Sequence, residues 1–150
     1  AQDSARAEIE TKAKAEYDAF VAKELKRVED EVKVQYITEL ETTIELEDYW
    51  RETKRVKRLI KRYFPEDHQT ALLVVACESG FKPHAYNPTN TNGSTDGGLW
   101  QINDVHNKSL EKQGLDKFNP VDATIYARQL YEKNGWRDWV CYTHNMLARR

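Results

Sequence analysis

The first 48 residues contain neither glycine nor proline, so nothing in their composition interrupts a helix. Apolar residues recur there at steps of three and four, from Ile9 through Val21 and Val32 to Ile44. The other faces carry Glu, Lys, Asp and Thr. We therefore predict that residues 1–48 form one long acidic α-helix. This helix is either a solvated stalk or a surface that pairs with a second copy or a partner helix.

Charge is distributed unevenly along the chain. Residues 1–48 hold 7 Lys and Arg against 14 Asp and Glu, whereas residues 49–150 hold 16 against 11. The two parts therefore carry −7 and +5, although the whole chain carries only −2. This contrast predicts a helix over 1–48 and a separate domain over 49–150. The longest apolar run, 71–77, is far shorter than the ~18 residues of a membrane span, so we expect none.

A basic amphipathic helix is predicted over residues 49–64. Seven Lys and Arg fall within residues 51–62, and apolar side chains from Trp50 to Phe64 share one face. The basic side either attracts an anionic polymer or is the solvated side of a helix that packs on the core, and we favour the second interpretation. No nucleic-acid recognition motif accompanies the cations, so we expect no nucleic-acid partner.

An apolar helix is predicted to follow. It begins at Pro65 or Glu66, includes the apolar run ALLVVAC and ends near Ser79, with Gly80 as its C′ residue. A helix this apolar in a small domain belongs at the centre of the core.

A small β-hairpin region is predicted next. The pair Asn92-Gly93 predicts a type I′ hairpin, and residues 94–103 predict short strands with a bend at Gly97-Gly98. A further helix is predicted over Val121–Lys133, and one short helix or turn over 136–150. The fold class is therefore α+β, mostly α.

Two carboxyl groups are candidates for chemistry. Glu78 closes the apolar helix, where burial and the negative end of the helix dipole both raise a carboxyl pKa. Asp96 lies 18 residues later among hydroxyl and glycine residues, which would keep it ionised. Two carboxyls in contrasting surroundings are the arrangement of glycoside hydrolysis. The alternatives are a Glu at the solvent edge of a core helix and an Asp that bonds its own turn.

Aromatic and amide side chains near these carboxyls would suit a sugar ligand. Rings stack on sugar faces and amides bond hydroxyl groups; the candidates are Trp100, Trp136, Trp139, Gln101 and Asn103. The tryptophans are equally good core material. The four histidines, His106 among them, lack metal-ligand spacing, and we interpret them as surface or loop residues. No phosphate-binding loop or nucleophile elbow occurs, so we expect no metal and no cofactor.

The segments ESGFKPHAYNP and NGSTDGGLWQIN resemble the lysozyme-like superfamily. They are similar to the soluble lytic transglycosylase domains of bacteria and phages and to chicken-type lysozymes. The later segment NPVDATIYARQLYEKNGWRDWVCY is similar to the closing part of many bacterial and phage members. The resemblance covers about residues 55–143 and leaves out 1–48. It implies a helical, lysozyme-like fold with a small β-sheet and a substrate cleft between the two.

The resemblance also implies a reaction, cleavage of the β-1,4 bond between N-acetylmuramic acid and N-acetylglucosamine in peptidoglycan. Glu78 matches the catalytic acid, and Asp96 matches the second carboxylate of chicken-type lysozymes. Gln101 and Asn103 match cleft residues, with Asn103 favoured for an acetamido contact. The residue that walls the Glu78 pocket is Trp136 or Trp139.

The match departs from chicken-type lysozymes in two places. Gly97 stands where they usually have an aromatic residue, and the interval from Glu78 to Asp96 is one residue longer. Soluble transglycosylases generally work with the single Glu, so the product stays open between a hydrolysed reducing end and a 1,6-anhydro sugar. The spacing of Cys77 and Cys141 alone favours neither a bridge nor free thiols, but related exported proteins suggest a disulfide.

The resemblance implies a glycosidase that degrades the cell wall and is exported to the envelope, secreted or associated with a virion. The alternative hypothesis is an inactive lysozyme-like module that binds the wall or assembles through the helix of residues 1–48. The presence of both acids favours the enzyme.

Overall fold

The computed structural model describes residues 2–146. Its helices and strands are α1 (Gln2–Tyr63), α2 (His68–Ser79), β1 (Tyr86–Asn87), β2 (Asp96–Gly97), β3 (Ile102–Asn103), α3 (Asn107–Gln113) and α4 (Pro120–Asn134). Two 3-10 turns and a π-helical turn complete it, at Asp104–His106, Gly135–Asp138 and Cys141–Met146. The predicted α+β, mostly α class is confirmed. The chain divides into two compact units, Ala1–Asp48 and Tyr49–Arg150.

The first unit is helical over its described residues. Arg27 pairs with Glu24 and Glu31 one turn away on either side, at 3.0 and 2.6 Å. Many apolar side chains of this unit are exposed, among them Ile9, Tyr17, Phe20, Leu25, Val32, Leu40 and Ile44. Pairing with a partner helix stays a prediction. In the described part of the chain, no helix combines the length and apolar character needed to cross a membrane.

The junctions of the helices differ from the prediction in two places. The helices expected over 1–48 and 49–64 form one element, α1, because no glycine or proline occurs before Pro65. The helix expected from Pro65 or Glu66 starts later, at His68. Asp67 is its N-cap residue, but the Asp67 side chain accepts a hydrogen bond from Trp136 Nε1 at 2.8 Å instead of capping the helix. The predicted end is confirmed, since Gly80 has a φ of +59°.

The core of the second unit lies between helices α1, α2 and α4. The Phe64 ring sits at its centre, 5.1 Å from the Trp100 ring and 5.3 Å from the Trp136 ring. Around these rings pack the buried residues Val56, Ile60, Ala71, Val74, Val75, Leu99, Ile102, Leu110, Ala123, Tyr126, Ala127 and Trp139. Burial of these side chains is the main favourable contribution to the fold.

The sheet has three short antiparallel strands in the order β1-β2-β3. Asp96 pairs with Asn87 on one side and with Asn103 on the other, so Asp96 occupies the middle strand. Gly98 follows with a φ of +80°, and a Cβ there would lie 1.9 Å from the carbonyl oxygen of Lys117. The chain therefore requires glycine at this bend.

The predicted type I′ hairpin at Asn92-Gly93 is wrong. The chain turns over Asn90–Gly93, where the Gly93 N–H donates to the Asn90 carbonyl at 2.9 Å, and no strand flanks the turn directly. A type I′ turn needs positive φ at both central residues, but Asn92 is not in the left-handed region. The Asn92 side chain instead accepts from the N–H of Ser94 at 3.0 Å and closes an Asx turn.

Candidate active site

A cleft of about 520 Å³ opens in the second unit between the sheet region and the helical side. From the sheet side it is lined by Asp96, Gln101, Asn103 and the loop 89–94. From the helical side it is lined by Glu78, His106, Leu130, Asp138, Trp139 and Val140. The cleft therefore brings together both carboxyls singled out in the sequence, although 17 residues separate them along the chain.

Glu78 occupies the next-to-last position of α2 and is half-buried. Burial raises its pKa above the ordinary 4.5, and the negative charge of Asp96 raises it further. One hydrogen bond opposes these effects, because the backbone N–H of Cys141 donates to Oε1 of Glu78 at 3.2 Å. The net shift is upward, so the predicted direction is confirmed. Glu78 therefore keeps its proton to a higher pH than an exposed glutamic acid.

Asp96 is surrounded by amide donors. Asn90 donates to Oδ2 of Asp96 and Asn103 donates to Oδ1, both at 2.8 Å. The same two amide groups also donate to the hydroxyl of Ser94, at 3.1 and 2.9 Å. Asn87 donates in turn to the side-chain carbonyl of Asn90 at 2.8 Å. This network fixes the orientation of the Asp96 carboxyl group.

The two predicted amide ligands line the cleft but are also used by the fold. The Gln101 amide donates to the carbonyls of Ala85 and Gly98, at 3.1 and 2.9 Å. Besides its bonds to Ser94 and Asp96, Asn103 accepts from the N–H of Val105 and caps the following 3-10 turn. Both residues therefore shape the sheet side of the cleft, and their contact with a substrate stays a prediction.

The three candidate tryptophans occupy different places. Trp139 lines the cleft with one edge and donates from Nε1 to the Trp100 carbonyl at 3.1 Å. Trp100 is 0% exposed and donates to the Thr124 hydroxyl at 3.0 Å. Trp136 is 6% exposed and lies outside the lining of the cleft. All three tryptophans are core residues, since Trp139 is only 4% exposed, and of the three Trp139 alone also lines the cleft.

Sequence reasoning missed His106. It was interpreted as a surface or loop residue, but it lines the cleft and is half-buried. Its Nδ1 lies 3.0 Å from the hydroxyl of the buried Tyr126 on α4. Burial lowers the pKa of His106, which favours the neutral ring at physiological pH. The contact with Tyr126 spans 20 residues, so no local pattern could have revealed it.

Sequence reasoning also missed further lining residues, namely Thr89, Asn90, Thr91, Ile102, Leu130, Asp138 and Val140. Asp138 is a third carboxylate on the cleft, held by a hydrogen bond from Asn134 at 2.9 Å. Its position in the 3-10 turn after α4 carried no signal in the sequence beyond a charged residue between two tryptophans.

Cys77 and Cys141 form a disulfide, with their Cα atoms 6.0 Å apart. The bridge joins the residue before Glu78 to the residue whose N–H binds Glu78. It therefore fastens the C-terminal turn over the cleft beside the carboxyl group.

This arrangement can supply a proton and stabilise a positive charge within one groove. Glu78 is half-buried with a raised pKa, and Asp96 presents an oriented carboxyl group from the sheet side of the cleft. Acid catalysis at a glycosidic oxygen requires the proton donor, and many glycoside hydrolases pair it with a second carboxylate.

Comparison with known proteins identifies the family. The family model of the Transglycosylase SLT domain matches residues 60–135, which is half of the chain and includes Glu78, Asp96 and His106. A comparison with curated proteins gave no match. Domains of this family generally cleave peptidoglycan, which lies outside the cytoplasm. The resemblance predicted from the sequence is thereby confirmed, and the chain belongs to the transglycosylase SLT domain family.

Proposed function

We propose that this chain is a peptidoglycan muramidase that cleaves the β-1,4 bond between N-acetylmuramic acid and N-acetylglucosamine, with Glu78 as the general acid. The observation that carries the proposal is the half-buried carboxyl of Glu78, whose pKa is raised, in a cleft that also holds Asp96. General acids of this kind need a proton that survives near neutral pH.

The reaction begins when Glu78 donates its proton to the glycosidic oxygen as the bond to C1 of muramic acid breaks. The sugar then carries positive charge at C1, which the carboxylate of Asp96 stabilises through the electrostatic field of the cleft. Both oxygens of Asp96 already accept hydrogen bonds from amides, which favours this electrostatic role over nucleophilic attack.

The family match favours the 1,6-anhydro product over hydrolysis. In that outcome the C6 hydroxyl of the same muramic acid attacks C1, and its proton passes to the carboxylate of Glu78. Glu78 returns to its protonated form, and no water is consumed. Water attack at C1 would give a hydrolysed reducing end instead.

Mass spectrometry of fragments released from purified peptidoglycan tests the proposal. We expect anhydro products that are lighter by one water than the hydrolysed ones. Glu78→Gln should lower the release rate by about 10²–10⁴-fold, because the general acid is lost. The matched control is Glu111→Gln on α3, an exposed glutamate outside the cleft, which should release fragments at the wild-type rate.

Equal release by wild type and Glu78→Gln would remove the acid assignment. Binding to the wall with no released fragment would instead support the inactive wall-binding alternative. The disulfide and the wall substrate both favour an exported or virion-associated location, since disulfides persist in oxidising compartments.

A further inference from the structure

A row of cations lies on the outer side of α1 within the second unit, and the proposed reaction makes no use of it. We call it the basic stripe; its six exposed side chains are Arg51, Lys54, Arg55, Arg58, Lys61 and Arg62. At helical spacing they lie opposite the buried residues Val56, Ile60 and Phe64. The stripe extends over about 16 Å, since a helix rises about 1.5 Å per residue.

Little negative charge compensates the basic stripe. Glu52 is the only acidic residue between Arg51 and Arg62 in the sequence. Apart from Arg51, no member of the stripe forms an ion pair with another residue in the described part of the chain. Such a row attracts a polyanion at close range, because salt screens its field beyond about 8 Å at physiological ionic strength.

The cleft carries the opposite charge. Its lining includes Asp96 and Asp138 beside the proton donor Glu78, and no lysine or arginine lines it among residues 2–146. A negatively charged polymer is therefore not attracted by the cleft itself, although neutral sugar rings fit its polar lining. The attraction has to come from another surface, and the segment 51–62 holds seven of the 16 Lys and Arg of residues 49–150.

The helix that carries the basic stripe packs beside the end of α2 that carries Glu78, through residues outside the stripe. The hydroxyl of Tyr49 donates to the Gly80 carbonyl at 3.5 Å, and Nζ of Lys57 lies 5.0 Å from the centre of the Phe81 ring. Gly80 and Phe81 follow Glu78 by two and three residues. The basic stripe therefore lies across the width of α1, about 10–12 Å, from the end of α2 that carries Glu78.

We propose that the basic stripe is an exosite that binds the free carboxylates of the peptide side chains of peptidoglycan while the cleft holds the glycan. This inference rests on the proposed function, because it assigns the stripe and the cleft to the same polymer. The stripe supplies the charge complementarity that the acidic cleft lacks.

Sedimentation with insoluble peptidoglycan tests the exosite without cleavage, in full-length protein carrying Glu78→Gln. The stripe variant is Arg55→Gln, Arg58→Gln and Arg62→Gln. The control variant is Lys108→Gln, Lys112→Gln and Lys133→Gln, which removes the same charge from exposed positions elsewhere in the unit. Glutamine preserves helix propensity. Circular dichroism and thermal melting verify that both variants are folded.

At low salt we expect the stripe variant to bind the wall about tenfold more weakly or worse, and the control variant to bind within about twofold of the parent. Peptidoglycan whose carboxyls are amidated with methylamine should bind the parent as weakly as native wall binds the stripe variant. Equal loss in both variants, or undiminished binding to amidated wall, would overturn the exosite.

Two further probes separate other polyanions. The parent could bind vesicles of phosphatidylglycerol or duplex DNA more tightly than it binds the wall, with that binding lost only in the stripe variant. This result would assign the stripe to another polyanion and refute the proposal. Product analysis keeps the two proposals distinct. If wild type releases fragments and the stripe variant binds the wall normally, the exosite proposal alone is refuted. If binding depends on the stripe but no fragments are released, only the muramidase proposal is refuted.

Discussion

Removal of the Cys77–Cys141 bridge should destabilise the second unit by about 4 kcal/mol. The two cysteines are 64 residues apart in the chain. Closing a loop of that length lowers the conformational entropy of the unfolded chain and so raises its free energy by about this amount. Cys77 is exposed and Cys141 half-buried, so alanine at both positions leaves little cavity. The loop term therefore dominates the expected loss. It is a large share of the 5–15 kcal/mol that stabilise an ordinary domain.

Guanidinium unfolding followed by tryptophan fluorescence measures the loss, because Trp100, Trp136 and Trp139 are all buried. With a slope of roughly 4 kcal/mol per molar, the midpoint of the double variant Cys77→Ala, Cys141→Ala should fall by about 1 M. Dithiothreitol should bring wild type to the same midpoint and leave the double variant unchanged. A loss below about 1 kcal/mol, or a reductant effect on the double variant, would refute the loop-entropy reasoning.

Three further predictions concern substitutions at single residues. The folded-state pKa of Glu78 is raised, so the wild-type unfolding free energy should fall as pH rises from about 4.5 through that pKa, and Glu78→Gln should lack this fall in pH-dependent denaturation. Gly98→Ala should cost at least about 2 kcal/mol in the same unfolding assay, because its Cβ would overlap the Lys117 carbonyl; Gly93→Ala, with the same φ of +80° and no neighbour within 4 Å, should cost less. Asn90→Ala should slow fragment release about tenfold while lowering the unfolding free energy by only about 1 kcal/mol, and an unchanged rate would remove its positioning role.

Features with a local cause could be predicted from the sequence. The end of α2 at Gly80 was predicted because only glycine adopts a left-handed φ without cost. The start of α4 was predicted within one residue because Asn119 precedes Pro120, and the Asn119 side chain accepts from the next two N–H groups. Glu78 was found for the same reason, as a carboxyl at the end of an apolar helix.

Features that depend on distant contacts could not be predicted. The predicted start of α2 was too early. The side chain of Asp67, which precedes the helix, is held by a hydrogen bond from Trp136, 69 residues away, and no local pattern reveals that contact. Trp100 and Trp139 look alike in sequence and both are buried in the core, yet only Trp139 also lines the cleft. Asn90 looks like any other turn residue in the sequence, and its bond to Asp96 depends on how the loop folds back over the sheet.

The pKa of Glu78 depends on opposing effects from the groups around its carboxyl. Burial and the negative charge of Asp96 raise the pKa of Glu78, whereas the hydrogen bond from the N–H of Cys141 lowers it. Carboxylates that accept two or three backbone N–H groups have strongly lowered pKa values, so additional donors here would favour the ionised form, which cannot act as a general acid. The disulfide ties Cys141, which supplies that N–H, to the neighbour of Glu78 and thereby holds the donor beside the carboxyl group. The bridge therefore bears on the cleft as well as on stability, because it holds next to the carboxyl group the N–H whose hydrogen bond lowers the pKa of Glu78.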